Sequence, residues 1–158
     1  MPYVGGTISG EVTKPEVTFS LSTSIYASGD VLADTQEVTG ALLNTAGGGI
    51  IESIVVIDQD AQAQALDLVF LDTDGSLGTE NSAVGPTDAV AAKILGIIPV
   101  LASDYKSLVN SQVATLTNVG LAIKAASNTT SIYLGAVSRG TGTYTASGIL
   151  VRMVILQV

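Results

Sequence analysis

The stretch Ile50–Asp74, IIESIVVIDQDAQAQALDLVFLDTD, decides the fold. It predicts two partner strands joined by a short polar link over residues 58–62. Apolar side chains recur at alternate positions in both strands: Ile50, Ile54 and Val56 in the first, and Leu66, Leu68 and Phe70 in the second. Because successive side chains point to opposite faces of a strand, each strand has a continuous apolar face. The pattern places this pair at the centre of a β domain.

The composition is unusually apolar for a chain of this length. Of 158 residues, 47% are hydrophobic and 13% are charged, and the mean hydropathy is +0.51. One domain with a sizeable core fits this length, and no apolar run approaches the roughly 20 residues that span a membrane. The first residues lack the basic and apolar regions of a signal peptide. We therefore expect apolar surface to be buried between subunits, with no membrane partner.

The residue types present exclude much ordinary catalytic chemistry. The chain has neither Cys nor His, which removes disulfides, thiolate nucleophiles, Cys-type zinc sites, the usual general base and any Ser-His-Asp triad. The carboxylate pairs Asp58 with Asp60 and Asp72 with Asp74 would suit glycoside hydrolysis in principle. Side chains two apart on a turn are more often solvated, so we expect no enzyme, no catalytic residue and no cofactor.

Two loop motifs fall short of known ligand sites. The acidic segment after Phe70 lacks the spacing of an EF-hand, because Gly75 is its fourth residue and Glu80 its ninth, where the sixth and twelfth are needed. The glycine run in residues 44–49, NTAGGG, lacks the Lys and Ser or Thr that follow in a phosphate-binding loop. We expect turns at both places, and no metal site.

Charge is distributed unevenly along the chain. The net charge is −8, and residues 15–92 hold twelve acids and no Lys or Arg, whereas residues 93–158 hold five basic residues and one acid. An acidic chain is repelled by phosphate, so no nucleic-acid partner is expected. The asymmetry is compatible with simple solubility or with complementary faces that meet between subunits.

Residues 1–14 are predicted to form an extended N-terminal arm or, alternatively, an edge strand. They contain Pro2 and three glycines, which favour irregular backbone. They also contain Tyr3, Val4 and Ile8, apolar residues that a purely disordered tail seldom needs. We take these three as the candidate partner-binding residues.

Residues 15–158 are predicted to form a single all-β domain. Alternating or apolar runs indicate strands over residues 16–22, 97–101, 108–113, 119–124, 131–138 and 149–158. The last strand is apolar on both faces and is expected to be central and covered on both sides. Residues 86–95 predict one short helix, Pro99 predicts an edge strand, and residues 139–143 predict a hairpin turn. The expected fold is a jelly-roll-like β-sandwich with one short helix.

The order of these pieces resembles a family of small structural proteins of tailed-phage virions. The stretches that carry the resemblance are GGGIIESIVVIDQD, ALDLVFLDTDGS, TENSAVGPTDAVAAKILGIIPV and TSIYLGAVSRGTGTYTASGILVRMVILQV. The similarity spans about residues 24–158. The sequence departs from the pattern at residues 81–84, where an acid, Asn and an aromatic residue are expected, so the packing of that segment is open.

The resemblance implies a capsid decoration or cement protein. Such a protein would be assembled in the host cytoplasm, lie on the capsid surface, bind the major capsid protein and form a homo-oligomer, with a trimer preferred by analogy with capsid three-fold sites. The alternative is a carbohydrate-binding jelly-roll module of a head or tail fibre. Such modules stack sugars on exposed aromatic side chains, and this chain has no Trp, five Tyr and two Phe.

Overall fold

A computed structural model describes residues 10–158. Within this range the strands are β1 Val12–Thr13, β2 Glu16–Thr18, β3 Val31–Val38, β4 Gly48–Asp58, β5 Leu66–Leu71, β6 Ile94–Val100, β7 Tyr105–Ser107, β8 Gln112–Leu116, β9 Leu121–Lys124, β10 Ile132–Ser138 and β11 Ile149–Gln157. One α-helix, α1, covers Asp88–Ala91, and a 3₁₀ turn covers Ala102–Asp104.

The strands form two antiparallel sheets. Sheet one has the order β1–β11–β4–β8–β7, with β2 also paired to β11 and β9 also paired to β4. Sheet two has the order β3–β10–β5–β6. The core lies between them, and its largest fully buried side chains include Phe19, Tyr26, Leu32, Ile51, Ile54, Leu66, Leu68 and Phe70.

The strand order is that of a jelly roll. If β1 with β2 is counted as one strand and β7 to β9 as another, the chain contains eight strands in sequence order. Sheet one then contains the first, eighth, third and sixth, and sheet two the second, seventh, fourth and fifth. This interleaving of chain ends and middle is the double Greek key of a jelly-roll sandwich. The predicted fold class is confirmed.

The two strands of the opening stretch are not partners, which corrects the sequence-based prediction. Strand β4 pairs with β11, β8 and β9, whereas β5 pairs with β10 and β6 in the other sheet. Their inward side chains meet across the core, where Ile54, Leu68 and Phe70 belong to one cluster. The link over residues 58–65 therefore crosses between the sheets.

A bulge in β4 changes which isoleucine faces the core. The pairing with β11 shifts between Ser53 opposite Val154 and Ile51 opposite Ile155. The extra residue moves Ile51 onto the core face, where it is fully buried, and leaves Ile50 half-buried on the other face. A one-residue slip reverses every following side chain in a strand, so strict alternation from Ile50 assigned this end to the wrong face.

The helix is shorter than the predicted range of residues 86–95. Thr87 caps it, with Oγ1 accepting a hydrogen bond from Val90 N at 3.3 Å, and it ends after one turn at Ala91. Ile94 and Leu95 belong to β6 because that strand pairs with β5. Strand β6 lies at the edge of sheet two, as predicted from Pro99.

Three other boundaries differ from the predictions. Residues 139–148 connect sheet two to sheet one, so residues 139–143 are not a hairpin turn. Strand β2 ends at Thr18, short of residue 22. The predicted strand over 108–113 is interrupted because Val109 has a left-handed backbone with φ of 71°, and β8 begins only at Gln112.

Candidate interaction surfaces

The carboxylate pairs considered for catalysis are engaged in internal hydrogen bonds. Asp58 is almost fully buried. Its Oδ1 accepts from Asp60 N at 3.0 Å, and its Oδ2 accepts from Ala63 N at 2.7 Å. Asp60 Oδ2 accepts from Thr145 N at 2.8 Å and from Thr145 Oγ1 at 3.1 Å. The pair fixes the link between the sheets to the 139–148 segment, so the expectation that both are solvated is wrong for Asp58.

The second carboxylate pair has a similar local role. Asp72 Oδ1 accepts from Thr73 Oγ1 at 3.0 Å, and Asp74 Oδ1 accepts from Thr35 Oγ1 at 3.2 Å. Within residues 10–158 there is no group of three or more acidic residues placed to hold a metal ion. The same part of the chain contains no cleft that would hold a small ligand.

Three tyrosines lie inside the sandwich and form no exposed stacking surface. Tyr26, Tyr105 and Tyr144 are buried, and the rings of Tyr26 and Tyr144 lie 6.0 Å apart at 59°. The Tyr26 hydroxyl donates to Leu32 O at 2.9 Å and accepts from Ser22 N at 2.7 Å. Burial raises the pKa of the Tyr105 and Tyr144 phenols well above the ordinary value. These rings are therefore unavailable to stack on a sugar.

The outer face of sheet two is covered by the segment of residues 72–93. Leu77 of this segment packs in a small apolar cluster with side chains of sheet two: Val31, Val69, Leu71 and Val137. The Asp34 carboxylate fixes the segment to sheet two. It accepts hydrogen bonds from Ser76 Oγ at 2.7 Å and from Leu77 N at 2.8 Å. Desolvation raises the pKa of Glu80 in the segment, and nearby Asp34 adds to the rise.

The open segment at residues 81–84 is held by backbone hydrogen bonds. Asn81 N donates to Val31 O at 2.9 Å, and Val31 N donates to Ser82 O at 2.8 Å. Val84 N donates to Gly29 O at 2.9 Å. The departure from the family pattern therefore falls on a stretch whose position is set by the main chain of β3.

The charge asymmetry of the sequence becomes an asymmetry between the two sides of the sandwich. Sheet two, its 72–93 cover and the turn before β3 hold eight carboxylates: Asp30, Asp34, Glu37, Asp67, Asp72, Asp74, Glu80 and Asp88. Within residues 10–158, the only basic residues on this side of the sandwich are Lys93 and Arg139, so the side carries a net charge of −6. Arg139 Nε is already paired with Asp67 Oδ2 at 2.7 Å.

The outer face of sheet one is apolar and uncovered in the part of the chain that the structure describes. By the outer face of sheet one we mean eight apolar side chains that point away from the core on β1, β4, β8 and β11: Val12, Ile50, Val55, Ile57, Val113, Leu150, Val154 and Leu156. Seven are half-buried and Val12 is 47% exposed. Strand β11 lies inside its sheet, as predicted, but within residues 10–158 no segment covers its outer side, contrary to the prediction that both its sides are covered.

The predicted partner-binding residues Tyr3, Val4 and Ile8 lie outside the described residues. The first described residues lie along the edge of sheet one, where Gln157 N donates a hydrogen bond to Glu11 O at 3.0 Å. Val12 and Thr13 then pair with Leu156 and Ile155. The extended arm or edge strand over residues 1–14 stays a prediction, within which Val12–Thr13 forms the short strand β1.

Among residues 10–158 no helix has the length and apolar character needed to cross a membrane. No protein-family model matches the sequence, and no curated protein matches it.

Three solved virus structures are similar to the chain, each at low identity. A chain of Desmodium yellow mottle tymovirus is 15% identical with a TM-score of 0.29, covering 99% of this chain and 85% of that one. A chain of the expanded equine rhinitis A virus particle, a picornavirus capsid, is 13% identical with a TM-score of 0.31, covering 90% and 71%. The VP2 subviral particle of infectious bursal disease virus is 12% identical with a TM-score of 0.26, covering 96% and 38%. At these TM-scores the superpositions carry no argument about function, and the fold rests on the strand order.

Proposed function

We propose that the chain is a structural protein of a tailed-phage virion, which decorates the capsid surface and stabilises the head by binding the major capsid protein. The observation that carries the proposal is the uncovered apolar outer face of sheet one. Large exposed apolar patches on a folded domain mark protein contacts. A decoration or cement protein acts through such contacts, without a reacting group.

The sequence resemblance supports the finer part of this assignment. The stretches that carry it coincide with β4, β5, β6 and the β10–β11 region, which are the framework strands of both sheets. The internal use of Asp58, Asp60 and the buried tyrosines agrees with a protein whose polar and aromatic side chains maintain its own shape.

The proposal gives the arm a specific role. Tyr3, Val4 and Ile8 order on contact with the major capsid protein or with a neighbouring subunit, and burial in the complex offsets the entropy of ordering. Because residues 12–13 are fixed at the edge of sheet one, the arm starts beside the apolar face. Copies of the chain also associate with one another, either as the trimer expected by analogy with capsid three-fold sites or as a two-fold pair.

The composition of purified particles tests this function. Mass spectrometry of gradient-purified virions should find the chain in a fixed ratio to the major capsid protein, and antibody labelling should place it on the head. A chain absent from virions contradicts the proposal. Label confined to a fibre, together with specific retention on a glycan array, favours the carbohydrate-binding alternative instead.

A deletion separates the arm from the rest of the domain. Removing residues 1–10 should leave the melting temperature nearly unchanged and weaken attachment to particles or to a neighbouring subunit. A truncated chain that no longer folds, or one that still coats particles normally, would reject the role of the arm.

A further inference from the structure

We propose that the outer face of sheet one is the surface through which two copies of this chain pair, face to face about a two-fold axis. The proposal concerns the isolated chain. Because the same face carries the virion assignment, the major capsid protein would take the place of the second copy on a particle.

The sequence of β11 is the first reason. An antiparallel strand with one solvated face ordinarily alternates apolar and polar residues. Strand β11 buries Ile149, Val151, Met153 and Ile155 in the core. It then presents Leu150, Val154 and Leu156 on the opposite side, where only Arg152 is charged.

The neighbouring strands extend this apolar surface in two rows, which Arg152, Thr115 and Ser53 separate. Leu150 lies opposite Ile57, which lies opposite Val113, so one apolar row crosses three strands. A second row runs from Val12 through Leu156 to Ile50. None of these six side chains packs against the core cluster. Folding of one chain buries these side chains only in part and so gains little free energy from them. Their apolar character is explained if another surface covers them.

The size of the face suits a second copy. Strand β11 has nine residues, which at about 3.3 Å per residue gives a length of about 30 Å, and strands about 4.8 Å apart give a width of about 20 Å. The resulting area is about 600 Å² per copy and about 1,200 Å² for a pair. This reaches the lower end of the range for specific interfaces.

The charge distribution favours the sheet-one side over the sheet-two side as the contact between two copies of the chain. The sheet-two side carries a net charge of −6 and would repel the same side of another copy. On the outer side of sheet one, Arg152 on β11 pairs with Glu16 on the edge strand β2, and their closest atoms lie 3.0 Å apart. Adjacent opposite charges are self-complementary under a two-fold rotation, as an isologous interface requires.

Sedimentation equilibrium of the full chain, from about 1 to 100 µM, tests the pairing. The wild type should reach twice the chain mass of 16.0 kDa. Val154→Lys should weaken association more than tenfold and keep a cooperative thermal transition, since the side chain is half-exposed. The matched control, Ile97→Lys, alters an apolar residue that is 52% exposed on sheet two and should pair like the wild type.

A charge exchange gives a second readout, provided that thermal melting shows each variant to be folded. Arg152→Glu places two carboxylates together and should weaken pairing, and adding Glu16→Arg to the same chain should restore it. A wild type that stays monomeric at 100 µM, a mass three times that of the chain, or pairing that V154K leaves unchanged would each overturn the proposal. A chain that pairs through this face but is absent from virions overturns the virion assignment alone.

Discussion

Arg152 on β11 donates two hydrogen bonds to Glu16 on β2, from Nη2 at 3.0 Å and from Nε at 3.2 Å to the same carboxylate oxygen. Both side chains are about half-exposed. Water screens such a pair, so its contribution to the stability of one chain is small.

Glu16→Ala should therefore lower the free energy of unfolding by less than about 1 kcal/mol. It should weaken the association of copies more clearly, because the pair lies on the outer side of sheet one, beside Leu150 and Val154 of β11. Denaturant titration at a concentration where the chain is monomeric checks the first effect, and sedimentation checks the second. A loss of several kcal/mol in the monomer would show that the pair supports the fold itself.

Leu68→Asp or Phe70→Asp should prevent folding. Both side chains are fully buried in β5, and an unpaired charge there costs several kcal/mol, comparable with a total stability of about 5–15 kcal/mol. Ile97→Asp on the adjacent strand β6 is the control, since Ile97 is exposed. Circular dichroism and thermal melting compare the three variants, and a soluble, cooperatively melting L68D would contradict the assigned core face.

Asp58→Ala should destabilise the domain by about 1–3 kcal/mol. The substitution removes the acceptor of two backbone N–H groups, those of Asp60 and Ala63, that shape the link between the sheets. Asp72→Ala should lower the free energy of unfolding by less, because the Asp72 carboxylate accepts a hydrogen bond only from the adjacent Thr73 side chain. Equal losses for the two variants in denaturant titration would contradict the role given to Asp58.

Stability should fall as pH rises above about 10, the ordinary phenol pKa. Burial raises the pKa of Tyr105 and Tyr144 in the folded state, so the unfolded chain releases those protons first. The unfolded state then binds fewer protons than the native state, and the free energy of unfolding decreases with pH.

The single variants Tyr105→Phe and Tyr144→Phe should each flatten this decrease, as measured by denaturant titration between about pH 8 and 11. Their free energies of unfolding should run parallel to that of the wild type below pH 10. An unchanged slope above pH 10 in both variants would show that other groups cause the alkaline loss.

The sequence predicted the fold class because turns and strand periods are local signals. The apolar pattern of residues 149–158 identified a central strand, and Pro99 identified an edge. It did not predict that β4 and β5 lie in opposite sheets, since a polar link of this length suits a tight connection within a sheet or a crossing between sheets. The buried Asp58, which fixes that crossing, looks like any turn aspartate in sequence.

The sequence also predicts too long a helix and does not predict the bulge in β4, because strand pairing decides both. The periodicity of residues 86–95 continues through Ile94, but pairing with β5 outweighs it. The bulge falls beside Glu52 and Ser53, two consecutive polar residues, so the apolar pattern does not show which of them is the inserted one. The apolar residues on both faces of β11 are the usable sequence signal for the outer face of sheet one, although the same pattern also predicts a strand that is covered on both sides.

Binding of the purified chain to particles that lack it measures the central claim most directly. If the chain is a capsid decoration protein, binding saturates at a fixed number of copies per major capsid protein and raises the temperature at which the heads release DNA. Absence of saturable binding, or binding that leaves head stability unchanged, would contradict the account.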